Sequence, residues 1–186
     1  MAQSQRELLL KQSAHVIWLT GLSGSGKSTL AAGLEKALHS RGFVTYLLDG
    51  DNIRQGLNRD LGFNDADRSE NIRRIGEVCA LMKDAGLIVI TAFISPFAAD
   101  REMARKAVGP DRFIEVFVSC PLEVCEQRDV KGLYKEARGG SVHNFTGVNS
   151  GYEEPTNPAI TIPTGEMDVQ KSLDMLLNFV LPRLSV

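Results

Sequence analysis

The sequence predicts an α/β fold, a parallel sheet with helices on both faces joined by right-handed crossovers. Three observations carry this. Short apolar runs alternate with longer runs of helical periodicity along the chain. The run LIVITAF at 87–93 is near-continuously apolar, as in a strand covered on both faces. The first apolar run also passes through a glycine-rich turn straight into a helical segment.

Taken in order, VIWLT at 16–20 is the first strand, and 27–41 is a helix stopped by Gly42. Residues 43–48 form the second strand, which ends in Asp49-Gly50-Asp51, and a short helix covers 52–58. Asp67 and Glu70 read as an N-cap and N3 pair for a helix running to Ala85, with Gly86 closing it. The third strand, 87–93, leads to a helix at 96–108, closed by Gly109-Pro110. A fourth strand covers 113–118, and Pro121 starts a helix that ends near Asp129. Residues 130–158 break the pattern, with five glycines, two prolines, three lysines or arginines and little periodicity. That is too long for an ordinary connection and reads as a lid or binding loop, spanning about 129–158. Residues 159–162 make a weaker fifth strand. Val169, Leu173, Leu176, Leu177, Val180 and Leu184 then recur at helical spacing, so a terminal helix packs on the sheet. With no repeats and no second domain, residues 1–186 read as one domain.

The totals are those of an ordinary globular chain: 43% apolar, 24% charged, net charge −2. This balance argues against non-specific nucleic-acid binding and against attraction to a membrane surface. Cys79, Cys120 and Cys125 form neither a disulfide framework nor a convincing metal spacing, which suits a reducing compartment. Cys79 falls on an apolar helix face and reads as core. His15, His39 and His143 show no ligand spacing and read as structural or exposed. The N-terminus, MAQSQRELLLKQ, is too short and polar for a signal peptide, so the expected location is cytoplasmic.

The chemistry starts at Gly21-Leu22-Ser23-Gly24-Ser25-Gly26-Lys27-Ser28-Thr29, a GxxxxGK[ST] turn between strand and helix. Its glycines let consecutive N–H groups face phosphate oxygens, and the helix N-terminus adds partial positive charge. Lys27 places an ammonium on the terminal phosphates, and the Ser28 hydroxyl faces Mg²⁺. ATP and Mg²⁺ are the expected ligands. Asp49 and Asp51 stand at the ligand-facing end of the second strand. There they can divide metal binding from acceptance of a proton. The third strand ends without an acid and no Asn-Lys-x-Asp occurs, so a small-molecule kinase fits better than a GTPase or motor. Arg54, Arg68, Arg73 and Arg74 accompany Phe63 and Asn71, a combination suited to an anion attached to a planar base. Arg59 and one of Arg73 and Arg74 read as solvated helix surface. In the lid, Arg128, Lys131, Lys135 and Arg138 could close over the transferring group, with Lys135 the best candidate for plain surface.

DGDNIRQGLNRDLGF, ENIRRIGEV, FISPF, RDVKGLYKEAR and NFTG follow the P-loop in order, and together they resemble adenylylsulfate kinase over about 15–165. The resemblance implies a P-loop nucleotide-kinase-like three-layer fold with a five-stranded parallel sheet and a lid. It implies transfer of the ATP γ-phosphoryl group to the 3′-hydroxyl of adenosine 5′-phosphosulfate, in sulfate assimilation. It implies Asp51 as the base, and Asp49 and Ser28 around Mg²⁺. Phe63 and Phe145 would sandwich the acceptor adenine, while Arg54, Arg68 and Asn71 hold its phosphosulfate and ribose. Ile94, Ser95 and Lys131 would complete that pocket, with Leu133 nearby, and Arg128 and Thr164 would lie by the ATP adenine. The serine at position 95 is expected as a substrate ligand, with a phosphoserine intermediate the minor reading. A homodimer and a stand-alone kinase without a sulfurylase extension are further expectations. VNSGYEEP departs from the family's pattern, Asn149 and Gly151 softening the lid's charge and stiffness. Two alternatives remain: another P-loop kinase acting on a nucleoside, shikimate or gluconate, and an ATP-binding regulatory domain without turnover.

Overall fold

A computed structural model describes residues 1–129, 132–141 and 144–185, apart from the side chain of Asp51. The elements run α1 (Gln3–Leu10), β1 (Val16–Thr20), α2 (Lys27–His39), β2 (Thr45–Asp49), α3 (Gly50–Gln55) and α4 (Asp65–Asp84). They continue with β3 (Ile88–Ala92), α5 (Ala98–Val108), a 3₁₀ turn (Pro110–Arg112), β4 (Phe113–Ser119) and α6 (Leu122–Arg128). The chain ends with α7 (Leu133–Arg138), β5 (Ile160–Pro163) and α8 (Val169–Leu184).

All four strand pairings are parallel, in the order β2-β3-β1-β4-β5. Two cores explain the apolar runs. Ile17 and Leu19 face a layer that includes Leu30, Leu34 and Leu38 of α2 and Leu176, Val180 and Leu184 of α8. Val16 and Trp18 point the other way, into Ile72, Ile75 and Cys79 of α4 and Ala104 and Val108 of α5. Because both faces of β1 are covered, all five of its residues are buried and hydrophobicity does not alternate along it. Cys79 is a core residue, as expected, and all three cysteines are buried and free.

The structure departs from the sequence reading in three places. The helix α4 begins at Asp65 with Asn64 as its N-cap, whose side chain accepts the Asp67 N–H at 2.9 Å. The Asp67 carboxylate instead accepts from Gly62 N and Asn64 Nδ2, both at 2.9 Å, so it fixes the preceding turn and is not the cap. The lid contains the helix α7, which six residues are too few to reveal by periodicity. At the N-terminus, α1 turns Leu8 and Leu9 outward and buries Glu7, against the usual amphipathic pattern. The Glu7 carboxylate accepts the Ala14 N–H at 2.8 Å, which anchors α1 beside the start of β1.

Candidate active site

The strand order sets where ligands can sit. The chain leaves β1 toward β2 and β3 on one side, then crosses to β4 and β5 on the other, so the turn after β1 lies at the switch point. A cavity of about 660 Å³ opens at these strand ends, a size suited to small-molecule ligands. Six residues of the turn at 21–29 line it: Ser23, Gly24, Gly26, Lys27, Ser28 and Thr29. Gly21 and Gly24 have φ of +150° and +76°. A Cβ at Gly21 would lie 2.5 Å from Val118 O, and one at Gly24 would lie 2.9 Å from Cys125 O. The turn therefore lies flat on β4 and α6 only because these positions carry no side chain.

Lys27 is buried and folds back over this turn. Its Nζ donates to Gly21 O at 2.8 Å, Leu22 O at 2.6 Å and Ser25 Oγ at 3.5 Å. Burial pulls its ammonium down to about 8 from an ordinary 10.5. Burial also pushes the nearby Cys125 thiol up to about 12, so it adds no negative charge there at neutral pH. Ser28 Oγ donates to Asp49 Oδ2 at 2.9 Å, a hydroxyl and a carboxylate side by side at the end of β2. An all-oxygen pair of this kind fits Mg²⁺, which takes one or two carboxylates and fills its shell with water and phosphate. Among the described residues no cluster of three or more His, Cys, Asp or Glu could hold a metal unaided. Asp51 lies in the first turn of α3, and its expected role as base falls on a side chain outside the described residues.

On the β2/β3 side, the cavity is lined by Arg54, Phe63, Arg68, Asn71, Ile94 and Ser95. Arg54 donates to Leu61 O and Gly62 O and stacks its guanidinium 4.2 Å from the Phe63 ring centroid. Phe63 is 59% exposed, an aromatic face left open. Arg68 is buried and donates to Phe63 O, Thr146 Oγ1 and the carbonyl of Asn144. Neither arginine forms an ion pair with a carboxylate among the described residues. Burial lowers the pKa of both guanidinium groups, yet arginine remains charged. Two cations with only neutral partners therefore line one side of the cavity, an arrangement suited to an anion.

Asn71 Oδ1 accepts from Asn58 Nδ2 at 2.9 Å. Ser95 has φ of +41° and is buried, and its Oγ accepts from Trp18 Nε1 at 3.1 Å. The carbonyl of Ile94 accepts from Thr20 Oγ1 at 2.7 Å. Leu133 and Phe145, both from the lid, also line the cavity. Phe145 is held edge-on by Tyr134, with centroids 4.9 Å apart and an interplanar angle of 81°.

On the β4/β5 side, Arg128 donates to Gly24 O and to Thr164 O, the latter at 2.6 Å. Thr164 Oγ1 donates to Ser25 O at 2.7 Å, tying the end of β5 to the turn. The hydroxyl of Tyr134 donates to Ser23 O at 2.9 Å, which fastens the lid helix α7 to the same turn.

Most of the residues singled out in the sequence meet in this cavity, although Gly21, Leu22 and Ser25 form the turn without lining it. Lys131 and His143 lie outside the described residues. His15 is buried, its Nδ1 3.1 Å from Ser13 O, and His39 is exposed, in line with a structural and a surface role. Arg59 is exposed. Both Arg73 and Arg74, not one of them, are occupied elsewhere: both bind Glu70, and Arg74 also binds Asp60. Arg138 pairs with Glu126 at 2.5 Å and does not line the cavity. Asn149 Oδ1 accepts the Phe145 N–H, so this departure from the family pattern closes the turn that carries Phe145.

Sequence reasoning missed Asn58, Thr146, Tyr134, Tyr152 and Arg101. Asn58, Tyr134 and Thr146 stand within motifs that carry the resemblance, and Arg101 leaves a charge spaced with Ala104 and Val108 on the core-facing side of α5.

A family model described as adenylylsulphate kinase matches residues 13–163. The chain is 56% identical over 178 residues to an adenylyl-sulfate kinase of Clostridium acetobutylicum, a match covering 96% of this chain and 88% of the relative. An APS kinase of Mycobacterium tuberculosis, solved in complex with AMPPNP and APS, superposes with a TM-score of 0.86 and 43% identity over 90% of this chain and 98% of that one. A hexameric APS kinase of Thiobacillus denitrificans superposes with a TM-score of 0.70 and 28% identity, over 93% of this chain and 30% of that one.

Proposed function

The chain belongs to the adenylylsulfate kinase family, and we propose that its cavity holds ATP and adenosine 5′-phosphosulfate on opposite sides of the P-loop. The reaction is transfer of the ATP γ-phosphoryl group to the 3′-hydroxyl of adenosine 5′-phosphosulfate. It yields 3′-phosphoadenosine 5′-phosphosulfate and ADP, in sulfate assimilation. The observation that carries the division of the cavity is the pair Arg54 and Arg68, cationic and without an ion pair to a carboxylate among the described residues, beside the exposed ring of Phe63. ATP needs only one anion site, and the P-loop supplies it. A second anion site joined to an aromatic face suits an acceptor that is itself an anionic nucleotide.

In this reading the backbone of residues 21–29 cradles the ATP phosphates, and Arg128 and Thr164 border the ATP adenine. Lys27 releases the carbonyls of Gly21 and Leu22 and turns its ammonium to the terminal phosphates. Ser28 and Asp49 hold Mg²⁺, which neutralises charge on the phosphates when bound. Phe63 and Phe145 stack the acceptor adenine, while Arg54, Arg68 and Asn71 fix its phosphosulfate and ribose. Asp51 accepts the proton of the 3′-hydroxyl, and Lys131 joins Ile94, Ser95 and Leu133 around the acceptor. The lid then excludes water, which would otherwise compete as acceptor.

Transfer is direct, from ATP to the hydroxyl, because a site that holds both reactants in line needs no covalent step. In this structure the Ser95 hydroxyl is buried against the Trp18 indole, which suits a fixed ligand better than a nucleophile. A cytoplasmic location is part of the proposal; among the described residues no helix is long and apolar enough to cross a membrane. A homodimer is proposed from the family resemblance.

The test is ATP consumption with four acceptor conditions: adenosine 5′-phosphosulfate, AMP, shikimate and none. Turnover confined to the phosphosulfate supports the reading. Equal turnover with AMP would show that the sulfate-bearing group is not recognised.

A further inference from the structure

Arg101 lies outside the residues assigned to either substrate, yet it joins two segments that border the acceptor. It stands in α5 and is 3% exposed. All three guanidinium nitrogens donate: Nε to Glu115 Oε1 on β4 at 2.9 Å, Nη1 to Ser95 O at 2.7 Å, and Nη2 to Glu153 O at 2.7 Å. Glu115 balances the charge and fixes the fork to the sheet. The other two prongs each grip a backbone carbonyl, one in the turn after β3 and one where the lid returns to the body.

The same joint is closed from the other direction. Glu153 N donates to Pro96 O at 2.9 Å, and Glu153 Oε2 accepts from Ala98 N at 2.7 Å. Tyr152, one residue earlier, shares a hydrogen bond of 3.0 Å with Thr20 at the end of β1, and its ring lies 5.9 Å from the Arg101 guanidinium. Ser95 has a φ of +41°, a conformation that a side-chain-bearing residue keeps only where its surroundings impose it. Arg101 holds its carbonyl and Trp18 holds its hydroxyl.

We infer that Arg101 is a positioning residue for the acceptor, clamping the return end of the lid to the Ser95 turn so that both keep one geometry. Lysine cannot replace it. A point ammonium lacks the planar fork that reaches Glu115 and two carbonyls at once. The inference rests on the reading that Ile94 and Ser95 face adenosine 5′-phosphosulfate, and its test separates the two.

Steady-state kinetics are measured for Arg101→Lys and Ser95→Ala, each checked for folding by thermal denaturation. Amide hydrogen exchange is followed on the wild-type chain with and without adenosine 5′-phosphosulfate. The expected result is a folded Arg101→Lys whose KM for the phosphosulfate rises about tenfold or more while KM for ATP stays within about twofold. In the wild type, the phosphosulfate should slow exchange in peptides covering 94–96 and 152–154 together. An unchanged KM for the phosphosulfate in Arg101→Lys, with a raised one in Ser95→Ala, overturns the clamp and leaves the reading of the turn standing. Equal rises in both KM values indicate general loosening and also overturn it. If neither variant moves KM for the phosphosulfate, the reading of the 94–95 turn falls, and the clamp with it. Should Arg101→Lys fail to fold, the exchange data decide: joint protection upholds the clamp, and protection of 94–96 alone overturns it.

Discussion

Lys27 makes the nucleotide site sensitive to pH in a direction that can be worked out. Without ligand its ammonium is buried and bonded only to neutral oxygens, and burial lowers its pKa to about 8 from 10.5. The gap corresponds to a cost of about 3 kcal/mol for keeping the charge in that environment. Below about pH 8 the folded and unfolded chains both carry the proton, and the cost is present in full. Between about 8 and 10.5 the unfolded chain binds a proton that the folded chain has released, so stability rises with pH across that window. Triphosphate oxygens favour the charged form, so ATP binding must raise this pKa and draw in a proton. Uptake at Lys27 is bounded by the fraction of protons the free site has already released, roughly 0.1 at pH 7 and at most roughly 0.9 at pH 9. The assay is isothermal titration of ATP, without acceptor, in pairs of buffers that differ in ionisation enthalpy. Uptake should climb between pH 7 and 9 in the wild type and stay flat in Lys27→Met. Uptake near zero at pH 9 in the wild type, or an unchanged climb in Lys27→Met, would refute the reasoning.

Three further outcomes follow from the site. Asp51→Asn should lower kcat by about two orders of magnitude or more with little change in ATP affinity, the scale expected for loss of a general base; a stopped assay of ADP release reads this, and an unchanged kcat removes Asp51 from the role. Asp49→Asn should raise the Mg²⁺ concentration for half-maximal rate by about 10–100-fold, as loss of a group that holds or orients a metal ligand does; an unaltered Mg²⁺ titration would separate the Ser28–Asp49 pair from the metal. Ser95→Ala should keep most of its kcat while its KM for the phosphosulfate rises, and a kcat lower by several orders of magnitude would bring back the phosphoserine intermediate.

Much of the fold is legible in the sequence for a simple reason. The central strands are covered on both faces, so β1 and β3 leave uninterrupted apolar runs, and α8 leaves its period on one face. The P-loop is legible because a backbone pressed against Val118 and Cys125 admits only glycine at Gly21 and Gly24. Local patterns mislead where a side chain turns away from the expected partner, as Asp67 does toward Gly62 and Asn64. The residues missed around the site act across long stretches of chain. Tyr134 reaches back to Ser23, Arg101 forward to Glu153, and Tyr152 to Thr20. No spacing rule links such pairs, because the meeting is made by strand order and not by neighbourhood in the sequence.

The division of the cavity is open to one crossed measurement, KM for both substrates in Phe63→Ala and Arg128→Ala. Phe63→Ala should raise KM for adenosine 5′-phosphosulfate about 5–150-fold, from about 1–3 kcal/mol of lost base stacking, and leave ATP nearly unaffected. Arg128→Ala should do the reverse, raising KM for ATP alone. If each variant raises both values equally, or the two effects are exchanged, the two nucleotides do not lie on opposite sides of the P-loop.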